Sequence, residues 1–461
     1  MSSITNKTWD ELKVGDTASF KRTVTARDLY LFAHASGNLN PLHLPVQDSV
    51  LKTAQSVAPS MWVGSLISSL LGNVLPGPGT LYLEQNFQFV ERAHLGDVLT
   101  ISVRLLDKLI KPQVLFDTSV TDQNNRLIAT GHAKVSAPTQ SVTIQQTDLP
   151  GLTLETHDHF TKLLELTKGK PAMTCAVVCP TDHHALAGAL LARDHDLITP
   201  VLIGPETLIR DIAEQHRLNL SNVEIVDVSL DREAARTAVE MVHQGRVRSI
   251  MKGNLHSDDL LGQVVKREGG LRGKGRISHA FVLDVPTQPE PIIISDAAIN
   301  IAPDLITKVD ITQNAIDLAV ACGMDKPRVA ILSAVETVNP HIPSSMEAAI
   351  IAKMADRGQI KGGLVDGPLA MDNAIDMGAA RDKHIESEVA GQAQVLIVPN
   401  LEAGNMLAKQ LTFVSHAQPA GLVLGARVPV MLTSRADNEQ ARLFSCVLAA
   451  LYEDFLNRKN L

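Results

Sequence analysis

The hydrophobic pattern of this 461-residue chain changes near residue 160, and this change constrains the fold more than any other feature. Before that point, segments such as VLTISVRLL and VLFDTSVTD alternate apolar with polar residues and are separated by short polar turns. Such alternation is typical of antiparallel strands that bury one face. After it, short apolar runs alternate with helical segments, which predicts a mostly parallel α/β sheet. The chain is also too long for one typical core, so at least two domains are expected.

A segment without any charged residue, Ala54 to Leu83, lies in the first part of the chain. Pro59 and the PGPG at residues 76–79 bound its helical part, which is shorter than the roughly 20 residues that a membrane span requires. We therefore expect a helix buried on all sides within a curved sheet. The predicted organisation is an α+β domain at residues 1–140, a polar linker at 141–159 and an α/β domain at 160–461.

Composition argues against several classes of function. The formal net charge of −8 disfavours a nucleic-acid partner, and 45% hydrophobic with 20% charged residues is typical of an ordinary globular protein. Four cysteines in so long a chain, and a start without a basic-then-apolar signal, predict a cytoplasmic protein without disulfides. Cys175, Cys179, His183 and His184 fit no standard zinc spacing, and the cysteines belong to an apolar strand. No metal site is therefore expected.

Six polar loops each follow an apolar run in the second domain. Ligands of α/β sheets bind beside the carboxyl ends of strands, so these loops form the expected site. The loops are KGNLHSDD (252–259), ISDAAINIAPD (294–304), SAVETVNPHIPSS (333–345), VDGPLAMDNA (365–374), PNLEAGN (399–405) and TSRADNE (433–439).

Together with LIGP at residues 202–205, these loops resemble the phosphate acetyltransferase/butyryltransferase family. The resemblance runs through the whole second domain. It implies two α/β subdomains, related to isopropylmalate dehydrogenases, with the site in the cleft between them. It also implies acyl transfer between coenzyme A and inorganic phosphate, with an acyl-CoA thioester and phosphate as substrates and no further cofactor.

The resemblance assigns a catalytic pair to Ser434 and Arg435. In the family this pair orients the thiol and stabilises the negative charge that develops on the thioester oxygen. Ala441 stands where acetyltransferases of the family carry an aspartate, and the SRAD form is more similar to the butyryltransferases. Asp437 or Glu439 then remains as the candidate general base.

Four further residues are candidates for binding the substrates. Lys252 follows a buried strand, and Arg276 belongs to the basic, glycine-rich run VKREGGLRGKGRISH, which could hold phosphate groups or be a solvated hinge. Asn300 and Asn405 lie in two of the six loops.

The turn SGNLNPLH of the first domain and the segments SLISSLLG and LPGPGTLYL resemble MaoC-like (R)-specific enoyl-CoA hydratases of the hotdog fold. In that family the turn reads D-x-N-P-x-H, and its Asp and His together activate water. His43 and Asn40 are retained, and Ser65 matches a serine near the catalytic pair, but Asn38 replaces the aspartate. An amide cannot accept a proton from water. The resemblance therefore predicts a hotdog domain of impaired hydratase type.

Other interpretations stay open. Asn38 and Asn40 can simply shape a tight turn, or the chain can be a fully bifunctional hydratase and transferase in which His43 works without a carboxylate. A dehydrogenase of related fold would need a nucleotide-binding signature, and the sequence contains no G-x-G-x-x-G. Domains of both families form dimers, so the resemblance further implies a homo-oligomer, with no nucleic-acid or membrane partner.

The catalytic assignment can be tested with Arg435→Ala. If the guanidinium stabilises charge that exists only in the transition state, the substitution should lower kcat by roughly 10²–10³-fold and change coenzyme A binding little. Steady-state kinetics with a short acyl-CoA and phosphate, together with a binding titration of coenzyme A, measures both quantities. Weakened binding with kcat intact would contradict the assignment.

Overall fold

The computed structural model describes residues 3–45, 56–145, 158–273, 275–433 and 437–459. The chain divides into two compact units, Met1–Leu154 and Glu155–Leu461. Within the described ranges, every helix is too short or too polar to cross a bilayer.

The described part of unit 1 contains two helices and eight strands. They are β1 (Ser3–Thr5), β2 (Thr17–Thr23), α1 (Ala26–Ser36), α2 (Ser60–Asn73), β3 (Leu81–Gln85), β4 (Gln88–Phe89), β5 (Val98–Lys108), β6 (Gln113–Thr121), β7 (Leu127–Ser136) and β8 (Thr143–Gln145). The main sheet has the antiparallel order β2-β5-β6-β7-β3, with β4 also paired to β7, while β1 pairs with β8. Strand β8 lies inside the segment that was predicted as linker.

The charge-free segment forms α2, which packs against β2 and β5. Its buried side chains, among them Trp62, Ile67 and Leu70, join the inward-facing residues of β5, β6 and β7 in one core. The prediction of a helix buried on all sides is wrong, because Met61 is 60% exposed and the serines along the same helix also face outward. A single helix held against an antiparallel sheet is nonetheless the predicted hotdog arrangement.

Glycine permits close contact at two positions of this unit. A Cβ at Gly64 of α2 would lie 2.8 Å from the ring of Phe87, and a Cβ at Gly131 of β7 would lie 2.0 Å from the carbonyl oxygen of Asn86. Real Cβ atoms do not approach that closely, so the helix and the β3–β4 connection can take these places only because no side chain is present.

Unit 2 contains eleven helices and eleven strands in its described part. The strands are β9 (Met173–Val178), β10 (Ile198–Gly204), β11 (Glu224–Asp227), β12 (Ser249–Lys252), β13 (Ser278–Asp284), β14 (Ile292–Ser295), β15 (Arg328–Leu332), β16 (Leu364–Leu369), β17 (Val395–Ile397), β18 (Gln418–Leu424) and β19 (Val430–Met431). The helices are α3 (Asp158–Glu165), α4 (His183–Asp194), α5 (Glu206–Gln215), α6 (Asp231–His243), α7 (Ser257–Val264), α8 (Leu305–Ala321), α9 (Pro343–Asp356), α10 (Met371–Ile375), α11 (Met377–Asp382), α12 (Leu401–Phe413) and α13 (Glu439–Lys459).

All eleven strands of unit 2 form one sheet, in the order β11-β10-β9-β12-β19-β18-β13-β14-β17-β15-β16. The first five strands are mutually parallel, and so are the last four. Three antiparallel pairings, β19 with β18, β18 with β13 and β13 with β14, lie between the two groups. An odd number of reversals makes the two parallel groups run in opposite directions.

Helix α13 packs against strand β19 of the first group and against strand β18 beside it. It carries a nearly continuous buried face and packs against α3, α4, α8 and β18. Phe444 stacks on Phe160 of α3 at a centroid distance of 4.4 Å. Because α13 follows directly after the TSRADNE loop, this packing fixes one end of the loop.

Candidate active sites

The carboxyl ends of β9, β12 and β19 meet in unit 2. The amide of Gly253 donates to the Val178 carbonyl at 2.8 Å, and the amide of Asn254 donates to the Cys179 carbonyl at 2.7 Å. A Cβ at Gly253 would lie 2.3 Å from the Cys179 carbonyl oxygen, so only glycine allows this approach. The KGN motif thus places Lys252 directly beside the next strand end, β19.

Lys252 is almost fully buried, with 2% of its surface exposed. Its Nζ donates to the carbonyl oxygens of Thr433, at 3.2 Å, and Gly253, at 3.3 Å. The sequence suggested that this cation binds an anionic substrate. In the structure its ammonium group donates to the backbone of its neighbour Gly253 and of Thr433, which directly precedes Ser434, and the role of Lys252 in substrate binding stays a prediction.

Arg442, which the sequence did not single out, lies at the same junction. It is 0% exposed, and its Nη1 donates to Thr433 Oγ1 at 2.7 Å and to the Lys252 carbonyl at 3.0 Å. Burial lowers the pKa of the guanidinium, while the nearby carboxylates of Asp182 and Asp437 act to raise it. Two basic side chains therefore bind the backbone and side chain of Thr433.

Ser434 and Arg435 lie outside the described residues, so their catalytic assignment stays a prediction. Both flanks of the pair are described: Thr433 is buried, and Asp437 is half-buried within electrostatic range of Arg442. Asn438 accepts the amide proton of Ala441 at 3.0 Å and so caps the start of α13. Asp437 is thus the nearest described carboxylate to the pair along the chain.

Glu439, the alternative base, has other partners. Its Oε1 lies 2.8 Å from His184 Nδ1 and 3.4 Å from His183 Nδ1. Burial opposes its ionisation, but hydrogen bonds from its own backbone amide and from His184 keep its pKa below the ordinary value. Among the described residues this trio is the group whose donor atoms could hold a metal ion. It lies at the N-termini of α4 and α13, whose dipoles disfavour a cation.

The second set of loop residues clusters around Asp296 and Ala297. Asp296 accepts the backbone amides of Ala298 and Ile299, at 2.9 and 3.0 Å, and also bonds to the side chain of Asn300. Burial raises the pKa of its carboxyl group. Asn405 donates from Nδ2 to the Ala297 carbonyl at 3.3 Å. Both asparagines therefore make bonds that hold the loop after β14.

Arg276 lies just before β13, on the same side of the sheet as the loop that follows β14. Its amide donates to Asp310 at 3.0 Å and its carbonyl accepts from Asn314 at 2.9 Å, while its side chain is in an exposed position. Of the basic residues in the glycine-rich run, Lys274 lies outside the described residues.

Strand direction separates the candidate residues into two sets. Lys252, Asp437 and the flanks of the Ser434–Arg435 pair follow strands of the first parallel group, whereas Asn300 and Asn405 follow strands of the second. The strands of the two groups run in opposite directions, so their carboxyl ends lie on opposite sides of the shared sheet, seen along the strands. The six loops that sequence analysis treated as one site therefore form two clusters.

The hydratase-like turn of unit 1 begins where α1 ends. Gly37 has a φ of 68° and caps the helix, and the chain then passes through two Asx turns. Asn38 Oδ1 accepts the amide of Asn40 at 3.2 Å, and Asn40 Oδ1 accepts the amide of Leu42 at 3.1 Å. Both asparagines thus shape the turn, as the structural interpretation of this motif predicted.

His43 at the end of this turn is half-buried, and its Nδ1 lies 2.8 Å from the Val57 carbonyl oxygen. A carbonyl only accepts, so Nδ1 carries the proton and Nε2 keeps its lone pair. This is the tautomer that a general base needs. Ser65 donates its hydroxyl to the Trp62 carbonyl at 2.7 Å within α2.

Comparison with known proteins identifies a matching family model and several similar proteins. Residues 230–450 match the family model described as "Phosphate acetyl/butaryl transferase". The phosphate acetyltransferase of Rhizobium meliloti is 56% identical over 293 residues, which are 64% of this chain and 93% of that protein.

Two solved structures are also similar. The branched-chain phosphotransacylase from Enterococcus faecalis V583 has 28% identity and a TM-score of 0.52, covering 61% of this chain and 99% of that one. The R-hydratase PhaJ1 from Pseudomonas aeruginosa has 35% identity and a TM-score of 0.32, covering 33% of this chain and 100% of that one. Because the Rhizobium meliloti phosphate acetyltransferase is 56% identical over 93% of its length, the chain belongs to the phosphate acetyl/butyryl transferase family.

Proposed function

We propose that this protein transfers a short acyl group between coenzyme A and inorganic phosphate at the carboxyl ends of β9, β12 and β19. The observation that carries the proposal is the buried junction of Lys252, Thr433 and Arg442, which anchors the chain at the residue before Ser434. A similar relative is a phosphate acetyltransferase, so acetyl-CoA is the first substrate to test, with butyryl-CoA beside it.

In the proposed reaction an oxygen of phosphate attacks the thioester carbonyl carbon, and negative charge develops on the carbonyl oxygen. Arg435 stabilises that charge, and Ser434 orients the sulfur. Asp437 takes the proton that the attacking phosphate loses. The carbon–sulfur bond then breaks, the thiolate leaves and is protonated, and acyl phosphate remains. This chemistry needs no cofactor beyond the two substrates.

The finer fold and location are also proposals. A sheet of two opposed parallel groups joined by antiparallel strands supports a relation to isopropylmalate dehydrogenases, with one subdomain built on each group. All four cysteines are buried and free, which suits the proposed cytoplasmic location.

The first test is the release of free thiol from acetyl-CoA and butyryl-CoA with and without phosphate. Release should depend on phosphate and yield acyl phosphate in equal amount, because phosphate is the attacking group. A thiol-reactive dye and a hydroxamate assay for acyl phosphate measure the two products. Equal release without phosphate would mean hydrolysis of the thioester and would overturn the proposal.

For unit 1 we propose an acyl-CoA-binding hotdog domain with impaired hydratase activity. His43 holds its Nδ1 against a backbone carbonyl, but Asn38 stands where the family has an aspartate, and its amide oxygen accepts a backbone amide in the turn. The correctly oriented His43 favours full bifunctionality as the second candidate. Loss of one positioned base typically costs roughly 10²–10⁴-fold in rate.

Asn38→Asp distinguishes these two candidates. A carboxylate can accept the Asn40 amide as the present side chain does, and it adds a group able to take a proton from water. Hydration of crotonyl-CoA by the full-length protein, followed by loss of absorbance of the double bond, should be slow and should rise in the variant. Asn38→Ser, which also supports such a turn but cannot act as a base, is the matched control. Brisk hydration by the unaltered protein would instead establish bifunctionality.

We also propose a homo-oligomer, which two exposed apolar surfaces support. Among the described strands, β3 pairs only with β7, and its Leu81 is 68% exposed. In unit 2, Met406 and Phe413 of α12 are 67% and 71% exposed. Exposed apolar edges and helix faces are rare on monomers, because they promote association.

Light scattering after size exclusion should therefore give a mass of at least twice that of one chain. Leu81→Lys should lower the mass or weaken association on dilution, because a charge would be buried at a sheet edge. Ile110→Lys, at a loop position that is 87% exposed, is the control. A monomeric mass for the unaltered protein would contradict the proposal.

A further inference from the structure

Arg442 connects three elements of unit 2 that are far apart in the sequence. It belongs to the first turns of α13, and its Nη1 reaches the Lys252 carbonyl at the end of β12, 190 residues away. The same nitrogen donates to the hydroxyl of Thr433, just after β19. One buried guanidinium therefore joins two strand ends to the helix that follows the Ser434–Arg435 pair.

The bonds around Arg442 reinforce one another. Lys252 Nζ donates to the Thr433 carbonyl at 3.2 Å, and Thr433 Oγ1 lies 3.4 Å from the Lys252 carbonyl oxygen that it faces. The backbone and the side chain of Thr433 are thus both held, by two different cations. Hydrogen bonds from charged donors are stronger than neutral ones, particularly where water is excluded.

Helix α4 makes room for this arrangement. A Cβ at Gly188 would lie 2.7 Å from Arg442 Cδ and 2.8 Å from its Cβ. Glycine inside a helix costs about 1 kcal/mol relative to alanine. Burying a guanidinium is also unfavourable, and apolar residues in such places are often equally stable or more so. Stability alone therefore does not account for an arginine at this position.

We infer that Arg442 is a positioning residue for the transfer reaction, because it holds Thr433, the residue that directly precedes the Ser434–Arg435 pair in the sequence. The inference rests on the proposed transferase function. Arg442 is fully buried, so it acts through Thr433 and Lys252. Misplacement of a catalytic group by about 1 Å can cost roughly 10²-fold in rate, so the role can be large without any direct contact.

The test uses the full-length protein with Arg442→Met, which keeps the length and apolar stem of the side chain but removes its donors. We expect kcat for phosphate-dependent thiol release to fall by about 10²-fold, with the KM for acyl-CoA nearly unchanged. Arg442→Lys should recover much of the loss, because the bonds to Thr433 and to the Lys252 carbonyl both come from Nη1, and one ammonium group can make both. An Arg442→Met enzyme with normal kcat, or no rescue by lysine, overturns the inference.

Arg248→Met is the matched control. Arg248 lies at the opposite end of β12, where it pairs with Glu453 of α13 at 3.1 Å and donates to the Ala172 carbonyl at 3.1 Å. It therefore joins the same strand and the same helix as Arg442, away from Thr433. Its variant should keep kcat. An equal loss of kcat in both variants would mean that any weakened contact between β12 and α13 is enough, and that Arg442 has no special role.

Hydrogen–deuterium exchange of peptides covering residues 430–438 gives a second readout that needs no turnover. Exchange should rise in Arg442→Met and stay unchanged in Arg248→Met. A loss of rate with unchanged exchange overturns the positioning role. If the unaltered protein shows no phosphate-dependent thiol release, the proposed function fails, and the exchange data still report whether Arg442 holds this segment.

Should Arg442→Met fail to fold, Gly188→Ala carries the test. Its methyl group must displace the Arg442 side chain while leaving the charge in place. A folded Gly188→Ala enzyme is expected to show lower kcat and faster exchange in the same peptides. Unchanged values for both would overturn the inference.

Discussion

The reversal of strand direction at β18, β13 and β14 determines where chemistry can occur in unit 2. Parallel strands expose their carboxyl ends at one edge, and ligands of such sheets collect there. Because the two parallel groups are opposed, the loops after β12 and β19 form one cluster and the loops after β14 and β17 form another. The first cluster includes Thr433, which directly precedes the Ser434–Arg435 pair in the sequence, and the second is built around the buried carboxylate of Asp296.

Within the first cluster, two buried cationic side chains hold one residue of the loop after β19. Lys252 and Arg442 both donate to Thr433, and Gly253 and Gly188 provide the space that these contacts need. Such a network of buried hydrogen bonds suits a reaction in which charge develops on one oxygen, because fixed donors stabilise that charge without reorganising. The space that Arg442 needs also explains why Gly188 is accepted in the middle of α4.

Unit 1 separates the shape of a catalytic turn from its chemistry. The Gly37 cap and the two Asx turns lead to His43, whose Nδ1 lies 2.8 Å from the Val57 carbonyl oxygen. The amide of Asn38 serves the turn as well as a carboxylate would, since both accept a backbone proton. Proton transfer is the step that distinguishes them, so the shape of the turn does not depend on whether water can be activated.

The sequence by itself determined the change from antiparallel strands to alternating strands and helices, the helix between Pro59 and the PGPG turn, and the family of unit 2, because periodicity and loop motifs are local properties. It also predicted correctly that Cys175 and Cys179 are buried in the core. It missed Arg442, since a lone arginine in a helical segment looks like a surface residue. Its partners Thr433 and Lys252 are 9 and 190 positions away, and only the fold places them beside it. It also missed the division of the six loops, since strand direction depends on which strands pair. Those pairings, and the burial of Lys252 against backbone carbonyls, were decided only by tertiary packing, in which contacts between distant segments exclude water and choose each side chain's partners.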